Sequence, residues 1–174
     1  EKEEIPTEPS YSASKQFYDN MRFKDKRVGY RIEPECDAKK NAEMLKAFSI
    51  LEERTVISFI PATTEESAEI TVFCSEIEPE VKQQGYFVAG EGGPTEVINT
   101  TLYGVILSAK ISFFREEKCK TPNIALHELL HAFGFDHNDN PKSILYPTLA
   151  CEQTIDSSII SDINQLYSVE SKPD

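Results

Sequence analysis

The three histidines of this 174-residue chain all lie within eleven positions, in the segment HELLHAFGFDH from residue 127 to residue 137. On a helix, residues four apart lie on the same face about one turn apart, so His127 and His131 can present their imidazole nitrogens to one point. Glu128 adjoins the first histidine, so its carboxylate lies near that point without occupying it. Two imidazoles at this spacing are typical zinc ligands.

The third histidine needs a turn to reach the same point. If the helix continued, the ten residues from His127 to His137 would carry the third ring about 15 Å away, at about 1.5 Å per residue. Gly134 removes this difficulty, because glycine readily adopts the left-handed conformation that ends a helix and reverses the chain. The spacing therefore predicts a site of three histidines. Three protein ligands with a fourth position for water are typical of catalytic zinc.

Such a site predicts hydrolytic chemistry. Zinc lowers the pKa of a water bound to it and polarises a carbonyl group, and Glu128 would take the proton of the zinc-bound water and deliver it to a leaving amine. The alternative is that these are ordinary surface or core histidines. It is disfavoured because all five positions of the pattern fit, the helix has start and stop signals, and the pattern contains every histidine of the chain.

The helix that carries these residues is predicted from the segment TPNIALHELLHAF, residues 121–133. Thr121 is its expected N-cap, Pro122 falls in its first turn, and Gly134 follows its end. A last helix is predicted from about Asp156 to Tyr167, with its isoleucines and leucine on one side.

The chain before residue 75 alternates strand and helix patterns. Residues 28–32 and the segments TVISFI and AEITVFC are rich in branched and aromatic residues, which is typical of strands. Asp37 is the expected cap of a helix that runs to about Arg54. The predicted buried face of this helix contains Ala42, Leu45, Phe48 and Leu51. Strand, helix and strand in this order predict a parallel sheet backed by a helix.

Two other stretches are less regular. Residues 11–24 are predicted as a short helix with Phe17 and Met21 on one side. Between residues 84 and 116, the segments GYFVA, TEVINTT and GVILSAKISFF are predicted as strands, with GEGGP as a turn, but their order in the sheet is not determined by these patterns.

The composition limits the partners and the compartment. The formal net charge of −12 argues against nucleic acid or an anionic membrane as the main partner. No apolar stretch approaches the ~18 residues that cross a bilayer, so no membrane span is expected. Four cysteines, none of them in a CxxC pair, permit two disulfides and favour a secreted or extracytoplasmic protein.

The pattern HExxHxxGxxH, which begins at His127, resembles the long zinc motif of the metzincin metallopeptidases. The segment SILYP, residues 143–147, is similar to the Met-turn of the matrixin branch, and IISDINQLY, residues 159–167, is similar to the closing helix of that branch. The resemblance follows the order of elements from about residue 27 onwards. It is most specific between residues 121 and 147.

The resemblance implies an α+β fold, mixed α/β, of the metzincin catalytic type. The acidic, proline-containing start of the chain predicts a flexible N-terminal tail over residues 1–25. A single metallopeptidase catalytic domain then covers residues 26–174. Its upper lobe, residues 26–134, is expected to hold a twisted mixed sheet of five or more strands and two helices. Its small irregular lower lobe, residues 135–174, is expected to hold a C-terminal helix.

The same resemblance implies a monomeric zinc-dependent endopeptidase that acts on protein or peptide substrates. His127, His131 and His137 would bind one catalytic zinc ion, and Glu128 would be the general base. Substrate would lie extended along the exposed edge strand of the sheet. Two alternatives are a zinc-binding module without turnover and an exopeptidase of the same clan.

Further positions match the family pattern or depart from it. Pro147, Thr148 and Leu149 match the wall of the primed-side specificity pocket. Leu145 stands at the turn position where the family has methionine, an exchange of similar volume that typically costs less than about 1.5 kcal/mol. Asn138 follows the third histidine, where matrixins usually have serine. The glycine- and aspartate-rich loops that hold structural calcium in matrixins are absent, which argues against calcium.

The implied fold also suggests how the cysteines pair. Cys36 and Cys74 would end two neighbouring parallel strands, close enough for a bridge. Cys119 precedes the histidine-bearing helix and Cys151 follows the pocket wall, which leaves these two to pair with each other. The alternative is four buried free thiols.

Overall fold

The computed structural model describes residues 15–81 and 85–168. Within them the elements follow the order β1 (Met21–Phe23), β2 (Arg27–Ile32), α1 (Ala38–Arg54), β3 (Ser58–Pro61), β4 (Ile70–Cys74), β5 (Gly90–Asn99), β6 (Gly104–Phe113), α2 (Asn123–Ala132) and α3 (Ser157–Leu166). No helix in this part of the chain is long and apolar enough to cross a membrane.

The strands form one mixed sheet, which confirms the predicted fold class. Five strands run parallel in the order β1-β6-β4-β2-β3, and β2 and β3 are joined through α1 as the strand-helix-strand pattern predicted. The remaining strand, β5, pairs antiparallel with β6 along its whole length. Because β5 pairs with residues 104–113 of β6, it occupies one side of that strand. On the other side, β1 pairs with residues 104–106 and β4 with residues 109–113, and β5 forms an edge of the sheet.

Helix α1 begins as predicted, because the Asp37 side chain accepts a hydrogen bond of 2.8 Å from the backbone N–H of Lys40. Its predicted buried face was partly wrong. Leu45 is 41% exposed. The side chains of this helix that face the core are those of Met44, Ala47, Phe48 and Leu51. These four have the i, i+3, i+4, i+7 spacing of one helix face, whereas the predicted residues are spaced by three throughout and therefore drift around the helix, which leaves Ala42 and Leu45 exposed.

The helix predicted over residues 11–24 is wrong for the part that the structure describes. Asn20 has a positive φ of 56°, and the chain then enters β1. The Gln16 side chain accepts from the backbone N–H of Met21 and donates to its carbonyl, at 2.8 and 2.7 Å. A side chain thus satisfies backbone groups that a helix would pair internally. Residues up to 25 also contribute a buried strand, so the predicted tail ends too late; residues 1–14 lie outside the described part.

The predictions for residues 85–94 are also wrong in two places. The segment GYFVA is not a strand, and GEGGP is not a turn but the beginning of β5. Glycine and proline usually mark turns. Here Gly90 and Gly92 permit close approach of the strand to α2, as described below.

The last helix, α3, forms as predicted, with Ile159 and Ile163 buried. Its end is fixed against β1. The Tyr167 hydroxyl accepts a hydrogen bond of 2.7 Å from the backbone N–H of Phe23, and Arg22 donates one of 2.6 Å to the carbonyl of Leu166. The first strand and the last helix therefore stabilise each other.

Two disulfides join parts of the chain that are distant in sequence. Cys36 is bonded to Cys74, with 5.0 Å between their Cα atoms, and Cys119 is bonded to Cys151, with 5.2 Å. Both pairings are those that the resemblance suggested. The first ties the loop after β2 to the end of β4, and the second ties the segment before α2 to the segment that follows residues 147–149.

Candidate active site

The three histidines converge on one point. Helix α2 places His127 and His131 one turn apart, with 3.0 Å between their Nε2 atoms. The Nε2 atom of His137 lies 3.2 Å from that of His127 and 3.1 Å from that of His131. Ligands about 2.05 Å from a tetrahedral zinc ion lie about 3.3 Å apart. The spacing of the three nitrogens therefore fits a zinc ion.

Backbone carbonyls orient two of these rings. His127 Nδ1 lies 2.6 Å from the carbonyl oxygen of Ile144, and His131 Nδ1 lies 2.6 Å from that of Phe135. A carbonyl oxygen can only accept, so each Nδ1 carries the proton and donates. The Nε2 atoms are thereby left with lone pairs that face one another, which is the arrangement that a metal cation satisfies.

Burial keeps the imidazoles neutral, the form that binds metal. It lowers the pKa of His127 to about 3, with a further contribution from nearby His131. Burial also lowers the pKa of His131 and that of His137. Protons therefore compete weakly for these nitrogens in the folded protein.

Gly134 makes the turn between the second and third histidines. Its φ is 90°, and its N–H donates to the carbonyl of His131 while the N–H of Phe135 donates to that of Leu130, at 2.9 and 3.1 Å. This is the Schellman arrangement of a helix end, which needs the left-handed conformation. A Cβ at this position would also lie 2.9 Å from the Met21 sulfur.

The predicted cap of α2 was wrong. The residue at the cap position is Pro122 rather than Thr121, and its side chain makes no hydrogen bond to the first turn of α2. Instead the buried carboxylate of Glu117 accepts from the backbone N–H of Ile124 at 2.7 Å and from that of Cys119 at 3.0 Å. Its negative charge lies at the helix N-terminus, where the helix dipole favours it. Sequence reasoning missed this because the acceptor is seven residues away.

Glu128 lies under the edge strand β5. A Cβ on Gly92 would collide with the backbone carbonyl of Glu128, and one on Gly90 would lie 3.0 Å from the Glu128 Cγ. Burial, with the nearby charge of Glu91, raises the pKa of the Glu128 carboxyl to about 8. The group is therefore placed to hold or release a proton near neutral pH.

These residues line one cleft of about 790 Å³. Its lining includes Glu128, the three histidines, the start of β5, Phe17 and the predicted pocket-wall residues Pro147, Thr148 and Leu149. Leu145 is fully buried in the preceding turn. We refer to residues 147–149 as the wall segment.

Polar side chains that the sequence did not single out support the wall segment. Gln153 donates to the carbonyl of Thr148 at 2.9 Å and accepts from the N–H of Ala150 at 2.9 Å. Asn123, at the start of α2, donates to the carbonyl of Ala150 at 3.0 Å. Neither the asparagine at the start of a helix nor the glutamine in a loop carries a sequence signal that identifies such contacts.

A second polar cluster follows the third histidine. The Asn138 amide donates to the Ser143 hydroxyl at 2.8 Å and to Asp156 Oδ2 at 2.9 Å, and Ser143 donates to the same carboxylate oxygen at 2.8 Å. Asn138 thus connects the chain after His137 to the turn and to the start of α3. This gives the asparagine at that position a structural role.

Comparison with known proteins adds three findings. The family model described as matrixin matches residues 22–168. No curated protein matches the sequence. Among solved structures, the fold is similar to that of high choriolytic enzyme 1, a hatching enzyme zinc-protease from the medaka fish Oryzias latipes. The TM-score is 0.56 at 18% sequence identity, over 90% of this chain and 99% of that chain.

Proposed function

Because this chain belongs to the matrixin family and is a zinc-dependent endopeptidase, we propose that His127, His131 and His137 bind its zinc ion and that Glu128 is its general base. The observation that carries the proposal is the convergence of three Nε2 atoms, each 3.0–3.2 Å from the others, with two Nδ1 protons directed to carbonyls.

Zinc, when bound, supplies Lewis acidity that lowers the pKa of water and polarises the substrate carbonyl. The chain supplies the rest. The Glu128 carboxylate accepts the proton of the attacking water on Oε and delivers it to the leaving amine nitrogen. The carbonyls of Ile144 and Phe135 keep His127 and His131 in the tautomer that the metal requires.

We propose that substrate binds as an extended strand beside β5, whose outer side is free in the described structure. The wall segment, Pro147, Thr148 and Leu149, would border the pocket for the residue on the carboxyl side of the scissile bond. Gly134 and Leu145 would shape the turns that hold the metal ligands. These assignments are supported by the shared cleft.

We further propose that residues 15–168 act as one catalytic domain, with the cleft between a sheet-containing upper lobe and a lower lobe that begins after Gly134. The protein would function as a monomer in a secreted or extracytoplasmic compartment. Two disulfides among the described residues support an oxidising compartment. Light scattering of the purified protein would measure its molar mass in solution and so test whether it is a monomer.

The decisive experiment compares wild type, Glu128→Gln and the control Glu152→Gln for zinc content and cleavage of unfolded casein. Glu152 is an exposed glutamate. We expect about one zinc per chain in all three proteins, activity in wild type and control, and a loss of at least about 100-fold in Glu128→Gln. A Glu128→Gln protein with full activity would contradict the assignment.

The alternatives give other results. A zinc-binding module without turnover would hold zinc and cleave nothing in a broad peptide library. An exopeptidase would cleave free-ended peptides but not a fluorogenic peptide blocked at both ends. Cleavage of the blocked peptide would exclude both.

A further inference from the structure

Phe17 lies in the cleft although it precedes every strand and helix that the structure describes. Its ring stacks on the ring of His131, with 5.8 Å between centroids and 30° between planes. The side chain is 40% exposed and lines the same cleft as the histidines and Glu128. An aromatic ring with one face on a site residue and the rest open to the cleft offers an apolar surface to a ligand.

The backbone fixes this position. The N–H of Phe17 donates to the carbonyl of Gly134 at 2.8 Å, and the carbonyl of Lys15 accepts from the N–H of Asp136 at 2.8 Å. Between them, the Gln16 side chain donates to the carbonyl of Phe133 at 3.1 Å. The segment of residues 15–17 is thus hydrogen-bonded along the turn that leads from the second to the third histidine.

Helix α2 connects the regions of the wall segment and of Phe17. Its first residue, Asn123, is hydrogen-bonded to the chain just after the wall segment. His131, which contacts Phe17, lies eight residues further along, about 12 Å at the rise of an α-helix. Phe17 and the chain that follows the wall segment therefore contact opposite ends of α2, and Glu128 lies between these ends.

We propose that Phe17 is a specificity-determining residue, forming the apolar wall of a subsite for a substrate side chain on the amino side of the scissile bond. The inference rests on the proposed function, in which the wall segment borders the carboxyl side. Phe17 would favour aromatic or large aliphatic residues over alanine by about tenfold, the scale of one aromatic contact.

The test compares Phe17→Ala and Phe17→Leu with a matched control, Tyr18→Ala. Tyr18 is 72% exposed and is not among the residues that line the cleft. Blocked peptides in two series, varied on the amino side or on the carboxyl side of one cleavage site, give kcat and KM. Kd is measured with the same peptides, carrying a label, in proteins that combine each of these substitutions with Glu128→Gln. The zinc content of every protein is measured as well.

We expect Phe17→Ala to reduce the preference for large apolar residues over alanine on the amino side by about tenfold, measured both in KM and in Kd. Its preference on the carboxyl side and its zinc content should stay at wild-type values. Phe17→Leu should keep most of the preference, and Tyr18→Ala all of it. Unchanged amino-side preference in Phe17→Ala would overturn the proposal. So would a uniform loss for all peptides with a fall in zinc content, since Phe17 would then only support His131.

The binding measurements separate this proposal from the proposed function. If wild type cleaves no peptide, the proposed function is wrong, and the Kd values still show whether Phe17 selects among amino-side residues. If wild type cleaves and the Kd values do not depend on Phe17, only this inference is wrong.

Discussion

Gly92 lies where the edge strand β5 crosses the residue proposed as the general base. A methyl group there would collide with the backbone carbonyl of Glu128, whereas a Cβ on neighbouring Gly93 would meet nothing within 4 Å. We expect Gly92→Ala to destabilise the protein by about 1–3 kcal/mol, as overpacking typically does, and to reduce activity by displacing Glu128. Denaturant unfolding and casein cleavage would measure both effects.

Gly93→Ala is the matched control for this prediction. The two residues are adjacent in the same strand and undergo the same chemical change, so loss of glycine flexibility affects both alike. Gly93→Ala should stay within about 0.5 kcal/mol of wild type. Equal behaviour of the two variants would show that close packing on α2 is not what requires glycine at position 92.

The raised pKa of Glu128 predicts a pH dependence in the metal-free protein. Burial raises this pKa from its usual 4.5 to about 8. Between about pH 4.5 and pH 8, the folded chain therefore retains a proton on Glu128 that the unfolded chain has already lost. The resulting stability is present below about pH 4.5 and is lost as the pH rises to about 8.

Glu128→Gln removes this ionisation. In the presence of a chelator, the melting temperature of Glu128→Gln relative to wild type should therefore rise as the pH is raised from about 5 to about 8. Thermal unfolding at several pH values measures the difference. A difference that does not change with pH would mean that the carboxyl titrates alike in the folded and unfolded chains.

At the scale of elements, one hydroxyl group contributes to the contact between the end of α3 and the start of the sheet. The buried backbone N–H of Phe23 donates to the Tyr167 oxygen at 2.7 Å. Tyr167→Phe leaves this donor without its acceptor, which typically costs about 1–3 kcal/mol. Unfolding in urea would measure the loss. Tyr18→Phe, at an exposed tyrosine, should change stability by less than about 0.5 kcal/mol.

Elements with local signals could be predicted from the sequence. The Asp37 cap, the periodicity of α3 and the HExxHxxGxxH spacing are each encoded within a few neighbouring residues. β1 and the glycine-rich first half of β5 could not be predicted in this way, although the second half of β5 was predicted as a strand. Gln16 replaces the backbone pairing of a helix by contacts with Met21 and Phe133, and the glycines of β5 are required by a helix more than thirty residues later. Long-range packing overrides local propensity in both.

The same distinction applies to the site. The motif identified the residues proposed as metal ligands and base because they lie within eleven positions of each other. Phe17, Glu117 and Gln153 had no such signal. Each acts through a side chain or backbone contact with residues that only the folded chain brings near, so their types alone did not mark them.

At the scale of the whole molecule, the two disulfides predict different consequences. Each closes a loop of similar length, with sequence separations of 38 and 32, so removing either should cost about 3–4 kcal/mol. Only the bridge of Cys119 and Cys151 joins the segment beside the wall segment to the start of α2. Its double serine variant should therefore also lose selectivity for carboxyl-side residues.

The Cys36→Ser/Cys74→Ser variant is the control, because no residue next to Cys36 or Cys74 in the sequence lines the cleft, whereas Cys151 lies two residues after the wall segment. It should lose stability and keep wild-type selectivity. Unfolding experiments and the carboxyl-side peptide series measure the two properties separately. Equal selectivity in both double variants would show that the hydrogen bonds of Gln153 and Asn123 suffice to hold the wall segment.

The Cys119–Cys151 bridge also bears on self-digestion. Its loop encloses every residue proposed as metal ligand or base, as well as the wall segment. A peptidase at high concentration meets copies of itself, and the stretch after His137 contains exposed residues. A cut between residues 138 and 146 would add one water molecule to the mass and release no fragment. Autolysis would leave a two-chain molecule that separates only on a reducing gel.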